Sequence, residues 1–248
     1  MSLVIHSVVR NGIVVSADTR MTSRRDTDVR YSDTSVKIVP FPNKIVVTST
    51  GDDLLRDDLS SSKFLYDLRR KCSKDIDLSD LPIMILNEYL SKYDGRTSEA
   101  CFMVSGYTTN GAGVLVGRTY GVDAKRKTIT QMVEDAEYTA SVDGVTELAT
   151  TMLKIADFNT LTLEEAISLS EATVTANIEA YKYATAQIIG GEVQTYVIDI
   201  VNDVSGWFIG GKIVHDENAP DYTGCSRKQK NNEAKEKAKR KKKKKKKV

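Results

Sequence analysis

Four residues in the first part of the chain have the types that acyl-transfer chemistry needs: Ser2, Asp18, Lys37 and Gly51. A serine hydroxyl is a weak nucleophile unless a base lies beside it. An α-amino group, with a pKa of about 8, is such a base when it belongs to the same residue. Ser2 meets this condition once Met1 is removed, and its small side chain permits that removal by aminopeptidases. We therefore expect the Ser2 hydroxyl to attack the carbonyl carbon of a substrate.

The other three residues would assist the attack. The Lys37 ammonium would lower the pKa of the hydroxyl electrostatically, and Asp18 would hold that ammonium by a charge-assisted hydrogen bond. The backbone N–H of Gly51 would donate to the tetrahedral oxyanion, because glycine permits close approach. The competing interpretation of Lys37 is a solvated strand lysine, on the face opposite its neighbours Val36 and Ile38.

The elements that must position these residues fall into separate blocks of strands and helices. Residues 19–33 are polar and predict a loop, and Asn11-Gly12 predicts a hairpin turn. The capping-box pair Thr162 and Glu165 marks the start of a helix. Segregated blocks of this kind favour the α+β class over alternating strands and helices. The predicted strands are 2–9, 13–17, 35–39, 44–49, 99–105, 113–118, 127–133, 193–200 and 206–213, and the predicted helices are 52–71, 80–93, 143–157 and 162–186.

The segment NGIVVSADTRMT, residues 11–22, resembles the start of proteasome β-subunits and of HslV. Those proteins carry a motif like G-V-V-x-A-A-D-T-R-x-T after a mature N-terminal threonine. The resemblance continues through Lys37 in SVKIV and Gly51 in VVTSTG. It extends through VSGYTTNGAGVLV, LTLEEAISLS and IGGEVQTYVID, and so covers residues 2 to about 212. It implies a four-layer αββα sandwich, the N-terminal-nucleophile (Ntn) hydrolase fold, in a domain over residues 1–225.

The resemblance also implies an activity and further site residues. We expect peptide-bond hydrolysis by Ser2, without a cofactor, on peptide or unfolded protein substrates. Ser141 in TASVDG would support the amine and hydroxyl network, and Arg20 would brace the Asp18 loop. Ser49 would form the floor of the primary pocket and Asp53 would lie near its rim, which favours long or basic substrate side chains. A homo-oligomer of one ring or stacked rings, served by an ATPase unfoldase, is the expected assembly.

Two departures from the family pattern leave alternatives open. Serine lacks the methyl group that restricts χ1 in threonine, so the Ser2 hydroxyl is less tightly placed. Ala186 and Ile189 stand where proteasome β-subunits carry an Asp and a Ser. The alternatives are an amidase, a peptide ligase or transpeptidase that passes the acyl group to an amine, and a catalytically degenerate subunit or binding module.

We expect a cytoplasmic protein. Cys72, Cys101 and Cys225 form no close pair, which suggests reduced thiols. His6 and His215 have no cysteine at ligand spacing, so we expect no zinc site. No apolar stretch approaches the roughly 18 residues that span a bilayer, so we expect no membrane association.

Residues 226–248 form a lysine-rich tail that is predicted to be disordered. The segment from Arg227 onward contains 14 of the 36 basic residues and two of the 34 acidic residues. The rest of the chain therefore has 22 basic and 32 acidic residues, a net charge of −10. The tail has three interpretations. It binds an acidic partner, nucleic acid or an anionic surface by counterion release, it is a solvated tail that balances the acidic body, or it is an oddity of the sequence.

Overall fold

The computed structural model describes residues 2–25, 28–51, 54–56, 59–93, 99–133 and 137–215. The helices in these ranges are α1 Ser61–Arg69, α2 Asp80–Tyr93, α3 Glu147–Leu153 and α4 Leu163–Tyr181. The strands are β1 Leu3–Val9, β2 Gly12–Asp18, β3 Met21–Arg25, β4 Asp28–Ser32, β5 Ile38–Phe41, β6 Ile45–Thr50, β7 Leu54–Arg56, β8 Leu59–Ser60, β9 Cys101–Thr109, β10 Leu115–Asp123, β11 Thr128–Val133, β12 Thr139–Gly144, β13 Val193–Asp199, β14 Val204–Ile209 and β15 Lys212–Val214.

Antiparallel pairing organises the strands into two large and two small sheets. The six-stranded sheet has the order β12-β1-β2-β13-β14-β15, and the five-stranded sheet has the order β11-β10-β9-β6-β5. The hairpins β3-β4 and β7-β8 are the two small sheets. The predicted hairpin between the first two strands is confirmed, because β1 and β2 pair directly, but its turn consists of Arg10 and Asn11, and Gly12 already pairs with Val9 as the first residue of β2.

The side chains of β1 show how the two large sheets position the start of the chain. Leu3 and Ile5 belong to a buried cluster shared with α3 and α4, whereas Val4 and Val8 belong to a cluster shared with the five-stranded sheet. Successive strand side chains point to opposite faces, so Ser2 lies on the same side as Val4. The nucleophile candidate therefore faces the second sheet rather than the helices.

The predicted fold class, an α+β four-layer αββα sandwich of the Ntn hydrolase type, is wrong. Antiparallel sheet dominates the described residues, and the β3-β4 and β7-β8 hairpins add strands that the prediction lacked. Residues 19–33 were wrongly predicted as a loop, because this polar segment has no apolar alternation to mark β3 and β4. The predicted domain boundary at 225 and the tail 226–248 lie outside the described residues.

The predicted helix over 52–71 was also wrong in its first half. Its leucines at 54, 55 and 59 lie in β7 and β8, and α1 begins only at Ser61. The side chain of Ser60 accepts a hydrogen bond from the backbone N–H of Lys63, so Ser60 caps the helix and fixes its start. The capping box of Thr162 and Glu165 is confirmed at the start of α4.

His6 lies in a buried polar cluster between the two large sheets. It is fully buried, with its Nδ1 2.6 Å from the Ser105 hydroxyl and its Nε2 2.8 Å from the Thr48 hydroxyl. The Ser105 hydroxyl lies 2.7 Å from that of Thr119, which extends the cluster. Burial lowers the pKa of His6 from 6.5 to about 3, so the imidazole is neutral in the folded protein near neutral pH.

Because His6 is buried, we expect the folded protein to lose stability as the pH falls below 6.5. Because the folded pKa lies below the unfolded value of 6.5, its contribution is fully present above pH 6.5 and is lost as the pH falls toward 3. The free energy of unfolding should fall by about 1.4 kcal/mol per pH unit through this window. Denaturant titrations at several pH values would measure that slope. A His6→Gln variant, whose amide keeps a donor and an acceptor but does not titrate, should lack this part of the slope; equal slopes would contradict the prediction.

Two further observations concern membranes and metals. None of the helices in the described ranges has the length and apolar character needed to cross a membrane. Within the same ranges, no group of three or more His, Cys, Asp or Glu side chains is arranged to hold a metal ion.

Candidate active site

Ser2 lies just before β1, and its backbone is held by the end of β12. The residue is almost entirely enclosed, with 7% of its surface exposed. Its carbonyl accepts a hydrogen bond of 2.9 Å from the backbone N–H of Val145. Gly144 has a φ of +97°, and a Cβ at this position would lie 1.8 Å from the Ser2 carbonyl oxygen. Glycine is therefore required beside Ser2, because any side chain would displace the backbone of the candidate nucleophile.

Asp18, at the end of β2, is a fully buried carboxylate surrounded by donors. Its Oδ1 accepts from the Lys37 ammonium at 2.5 Å and from the backbone N–H of Leu3 at 2.9 Å. Its Oδ2 accepts from the backbone N–H groups of Gly190 at 3.1 Å and Arg20 at 3.2 Å. Four donors from four segments compensate the cost of burying this charge.

Lys37 lies just before β5 and is buried, with 4% of its surface exposed. The interpretation as a solvated strand lysine therefore does not describe this residue. Its backbone N–H donates to the side chain of Gln194, and its carbonyl accepts from the backbone N–H of Ser49. These bonds fix the backbone on both sides, while the ion pair with Asp18 fixes the ammonium.

Four of the residues predicted from the sequence line one cleft: Ser2, Lys37, Ser49 and Gly51. Asp18 lies directly behind this cleft, joined to it through the Lys37 ammonium. A hydroxyl, an ammonium and a turn-forming glycine thus share one concave surface. We call it the Ser2 cleft.

Gly51 follows β6 and has a φ of +82°, in the region that favours glycine. A Cβ at this position would lie 1.7 Å from the backbone carbonyl oxygen of Glu99. The chain can therefore turn here, beside the cleft, only without a side chain. Thr50, the residue before it, donates a hydrogen bond from its hydroxyl to Asp143 of β12, which ties the ends of two sheets together.

Ser141 is not among the residues that the structure brings together. Ser141 in β12 pairs with His6 in β1. Because His6 is four residues beyond Ser2, Ser141 lies roughly 13 Å from Ser2 along the strand direction. It lines a separate cavity beside Leu153. The expectation that Ser141 supports the amine network is therefore not supported by its position. Asp53 lies outside the described residues.

Sequence reasoning missed several residues at the site, among them Asp143, Thr50 and Ser61. Asp143 and Thr50 join the ends of β12 and β6, and Ser61 lines the cleft from the start of α1. The signal for Asp143 was the Asp-Gly pair that ends TASVDG, which is typical of a strand end. Residue 143 was instead assigned to the start of a helix. Ser61 could not be found, because the predicted helix over 52–71 concealed where α1 begins.

Arg20 connects the Asp18 loop to two other segments. Its guanidinium donates to both carboxylate oxygens of Asp33, at 2.6 and 2.9 Å, and to the Gln187 carbonyl at 3.2 Å. This hydrogen bonding holds the pKa of Asp33 below its usual value. The position of Arg20 is consistent with the expected bracing of the loop.

Comparisons with known proteins show what this fold resembles. No protein-family model and no curated protein matches the chain. Among solved structures, the helical assembly of the Anbu complex from Pseudomonas aeruginosa matches with a TM-score of 0.62 at 14% identity over 96% of each chain. A mutant of Anbu from Hyphomicrobium sp. strain MC1 matches with a TM-score of 0.62 at 12% identity, over 96% of this chain and 97% of that one. Anbu from Yersinia bercovieri, described as an ancestral beta-subunit, matches with a TM-score of 0.59 at 11% identity, over 79% and 82%.

These comparisons correct the assignment made from the sequence. The resemblance to proteasome β-subunits and HslV is not supported, because the structures that match are Anbu proteins. The part of the resemblance that named the site is the motif around Asp18, with the lysine and the glycine that follow it. Such a motif describes how one pocket is built, which distinct families can share. At identities of 11–14%, the structural likeness shows the fold alone.

Proposed function

We propose that this chain hydrolyses peptide bonds, with Ser2 as the nucleophile and the α-amino group of Ser2 as the base. The observation that carries the proposal is the joint presence of Ser2, Lys37 and Gly51 on the wall of one cleft, with Asp18 paired to Lys37 behind it. A nucleophile, a cation that favours the alkoxide and a backbone donor are the parts that acyl transfer needs.

In the first half of the reaction, the α-amine of Ser2 takes the hydroxyl proton while the Ser2 oxygen bonds to the substrate carbonyl carbon. The resulting oxyanion accepts a hydrogen bond from the backbone N–H of Gly51. The carbon–nitrogen bond then breaks, and the proton on the α-ammonium passes to the leaving amine. The product of this half is an ester between Ser2 and the acyl part of the substrate.

In the second half, water attacks that ester and gives a proton to the α-amine. The bond between the Ser2 oxygen and the carbonyl carbon breaks, and the proton returns to the Ser2 oxygen. A free carboxylic acid leaves and the enzyme is restored. Throughout both halves Lys37 remains an ammonium held by Asp18, so it stabilises negative charge on the Ser2 oxygen each time that charge develops.

We further propose that the chain works as a homo-oligomer. One matching Anbu structure is described as a helical assembly, and the match covers 96% of both chains. A ring, an unfoldase partner and a partner for the lysine-rich tail stay predictions.

The test of the proposed function is labelling of the purified full chain with a β-lactone or epoxyketone peptide inhibitor, followed by mass spectrometry of the N-terminal peptide. We expect a chain that begins at Ser2, with one inhibitor bound to that residue. A Ser2→Ala variant should remain unlabelled, which controls for reaction elsewhere. A chain that retains Met1, or a label placed on a residue other than Ser2, would overturn the proposal.

A further inference from the structure

We infer that Asp143 is a positioning residue for the proposed reaction: through the Thr50 hydroxyl it holds the peptide group whose N–H, that of Gly51, donates to the oxyanion. This inference rests on the proposed function and adds a residue to the same site. Three observations support it: the face of the sheet on which Asp143 lies, the two hydrogen bonds of its carboxylate, and the place of Thr50 in the chain.

Strand pairing places Asp143 on the face of the six-stranded sheet that carries the candidate nucleophile. Asp143 in β12 is opposite Val4 in β1, and residues opposite each other in an antiparallel pair have their side chains on the same face. Val4 packs against the five-stranded sheet, and Ser2 lies on the same side as Val4. The Asp143 carboxylate therefore faces the second sheet, beside the start of the chain.

The carboxylate of Asp143 joins the turn beside Ser2 to the end of β6. Its Oδ1 accepts from the backbone N–H of Gly144 at 2.8 Å. Its Oδ2 accepts from the hydroxyl of Thr50, the last residue of β6. Gly144 is the residue whose φ of +97° leaves room for the Ser2 carbonyl. One side chain thus restrains both the segment that supports the nucleophile and the segment that precedes the oxyanion donor.

Thr50 transmits this restraint to the donor, because the N–H of Gly51 belongs to the same peptide group as the Thr50 carbonyl. A peptide group is planar, so its orientation sets the direction of its N–H. The backbone of Thr50 pairs with Cys101 of β9, and its hydroxyl is held by Asp143. Gly51, with a φ of +82°, has no side chain to restrict the torsions on its own side. The bond to Asp143 therefore helps to orient the donor before negative charge develops, as a preorganised oxyanion site requires.

The inference is tested first with Thr50→Val, which keeps the shape of the side chain and removes the hydroxyl. The donor acts on the tetrahedral intermediate, so kcat for peptide hydrolysis should fall by about tenfold or more while KM changes by less than about twofold. Thr50→Ser, which keeps the hydroxyl, should recover most of this loss. The matched control is Thr109→Val, the same change at the exposed far end of β9, which should keep the wild-type kcat.

Two inhibitors separate the orientation of the donor from a general loss of structure. A peptide β-lactone acylates Ser2 through a tetrahedral oxyanion. A vinyl sulfone on the same peptide reacts by conjugate addition of the Ser2 oxygen to carbon, without an oxyanion at a carbonyl. In Thr50→Val, the ratio of the β-lactone labelling rate to the vinyl sulfone labelling rate should fall about tenfold. Equal losses with both reagents would show that the bond supports the fold or the nucleophile instead, and would overturn the inference.

Asp143→Ala tests whether Thr50 acts through this carboxylate. The double variant with Thr50→Val should be no slower than Asp143→Ala alone, because either change breaks the same hydrogen bond. Losses that multiply in the double variant would show that the two residues act independently, which would overturn the inference. Thermal denaturation checks that each variant is folded. Each single variant breaks the bond from one side, so the inhibitor comparison can be made with either.

The outcomes separate this inference from the proposed function. Wild-type protein that is labelled at Ser2, together with an unchanged kcat and an unchanged inhibitor ratio in Thr50→Val, would overturn the inference alone. The absence of both labelling at Ser2 and peptide cleavage in the wild-type protein would overturn the proposed function, and the inference with it.

Discussion

Replacement of Ser2 by alanine is expected to lower kcat/KM for peptide hydrolysis by at least about 10³-fold, because loss of a nucleophile removes the covalent route entirely. The fold should be nearly unaffected. The backbone contacts of this residue, to Val145 and beside Gly144, do not involve the hydroxyl. Initial rates on a panel of fluorogenic peptides would measure the loss, and thermal denaturation would confirm that the variant is folded.

The control for this prediction is Ser2→Thr, which keeps the hydroxyl and adds a methyl group that restricts χ1. We expect it to retain activity, because the hydroxyl and the α-amine remain on one residue. A Ser2→Ala protein that cleaves the same peptides at the wild-type rate would remove the mechanism proposed here. Loss of activity in Ser2→Thr together with a lowered melting temperature would indicate a clash of the methyl group rather than a chemical requirement.

Replacement of Asp18 by asparagine is expected to destabilise the protein by about 3–5 kcal/mol, the usual cost when one partner of a buried ion pair is removed. The Asp18 carboxylate is fully buried and accepts four hydrogen bonds, and the substitution removes the negative charge that is paired with the buried Lys37 ammonium. Denaturant unfolding would measure the change. Peptide hydrolysis should also fall by about 10² or more, because the ammonium loses its orientation.

Two variants give this second prediction its controls. Asp33→Asn breaks the pair with Arg20, in which the Asp33 side chain is 46% exposed, so it should cost no more than about 1 kcal/mol. The double variant Asp18→Asn with Lys37→Met removes both buried charges. It should recover much of the stability but none of the activity. Recovery of activity in the double variant would show that the ion pair is structural only.

Some of this structure was determined by local sequence signals. The Asn11-Gly12 pair, which is typical of hairpin turns, predicted the β1-β2 hairpin. The capping box of Thr162 and Glu165 predicted the start of α4, because it satisfies backbone donors within one turn. The candidates Ser2, Asp18, Lys37 and Gly51 were also named from the sequence, by residue type and spacing.

Other parts were settled only by tertiary packing. Lys37, between two apolar neighbours, fits an exposed position as well as a buried one, and its burial depends on Asp18 from a different strand. Ser141 was favoured by its neighbourhood in the sequence, yet the β1-β12 register sets it opposite His6. A shift of strand register changes which residues meet, and no short turn joins β1 to β12, so their spacing in the sequence does not set that register.

By itself, then, the sequence determined the local turns, the caps and the residue types that could carry out acyl transfer. The tertiary structure decided which of those residues share the Ser2 cleft, and it added Thr22 and Ser61 to the lining. The physical reason is the range of the interactions. Turns and caps depend on hydrogen bonds between residues a few positions apart, whereas the cleft depends on contacts between segments that are distant along the chain and meet only when both large sheets have formed.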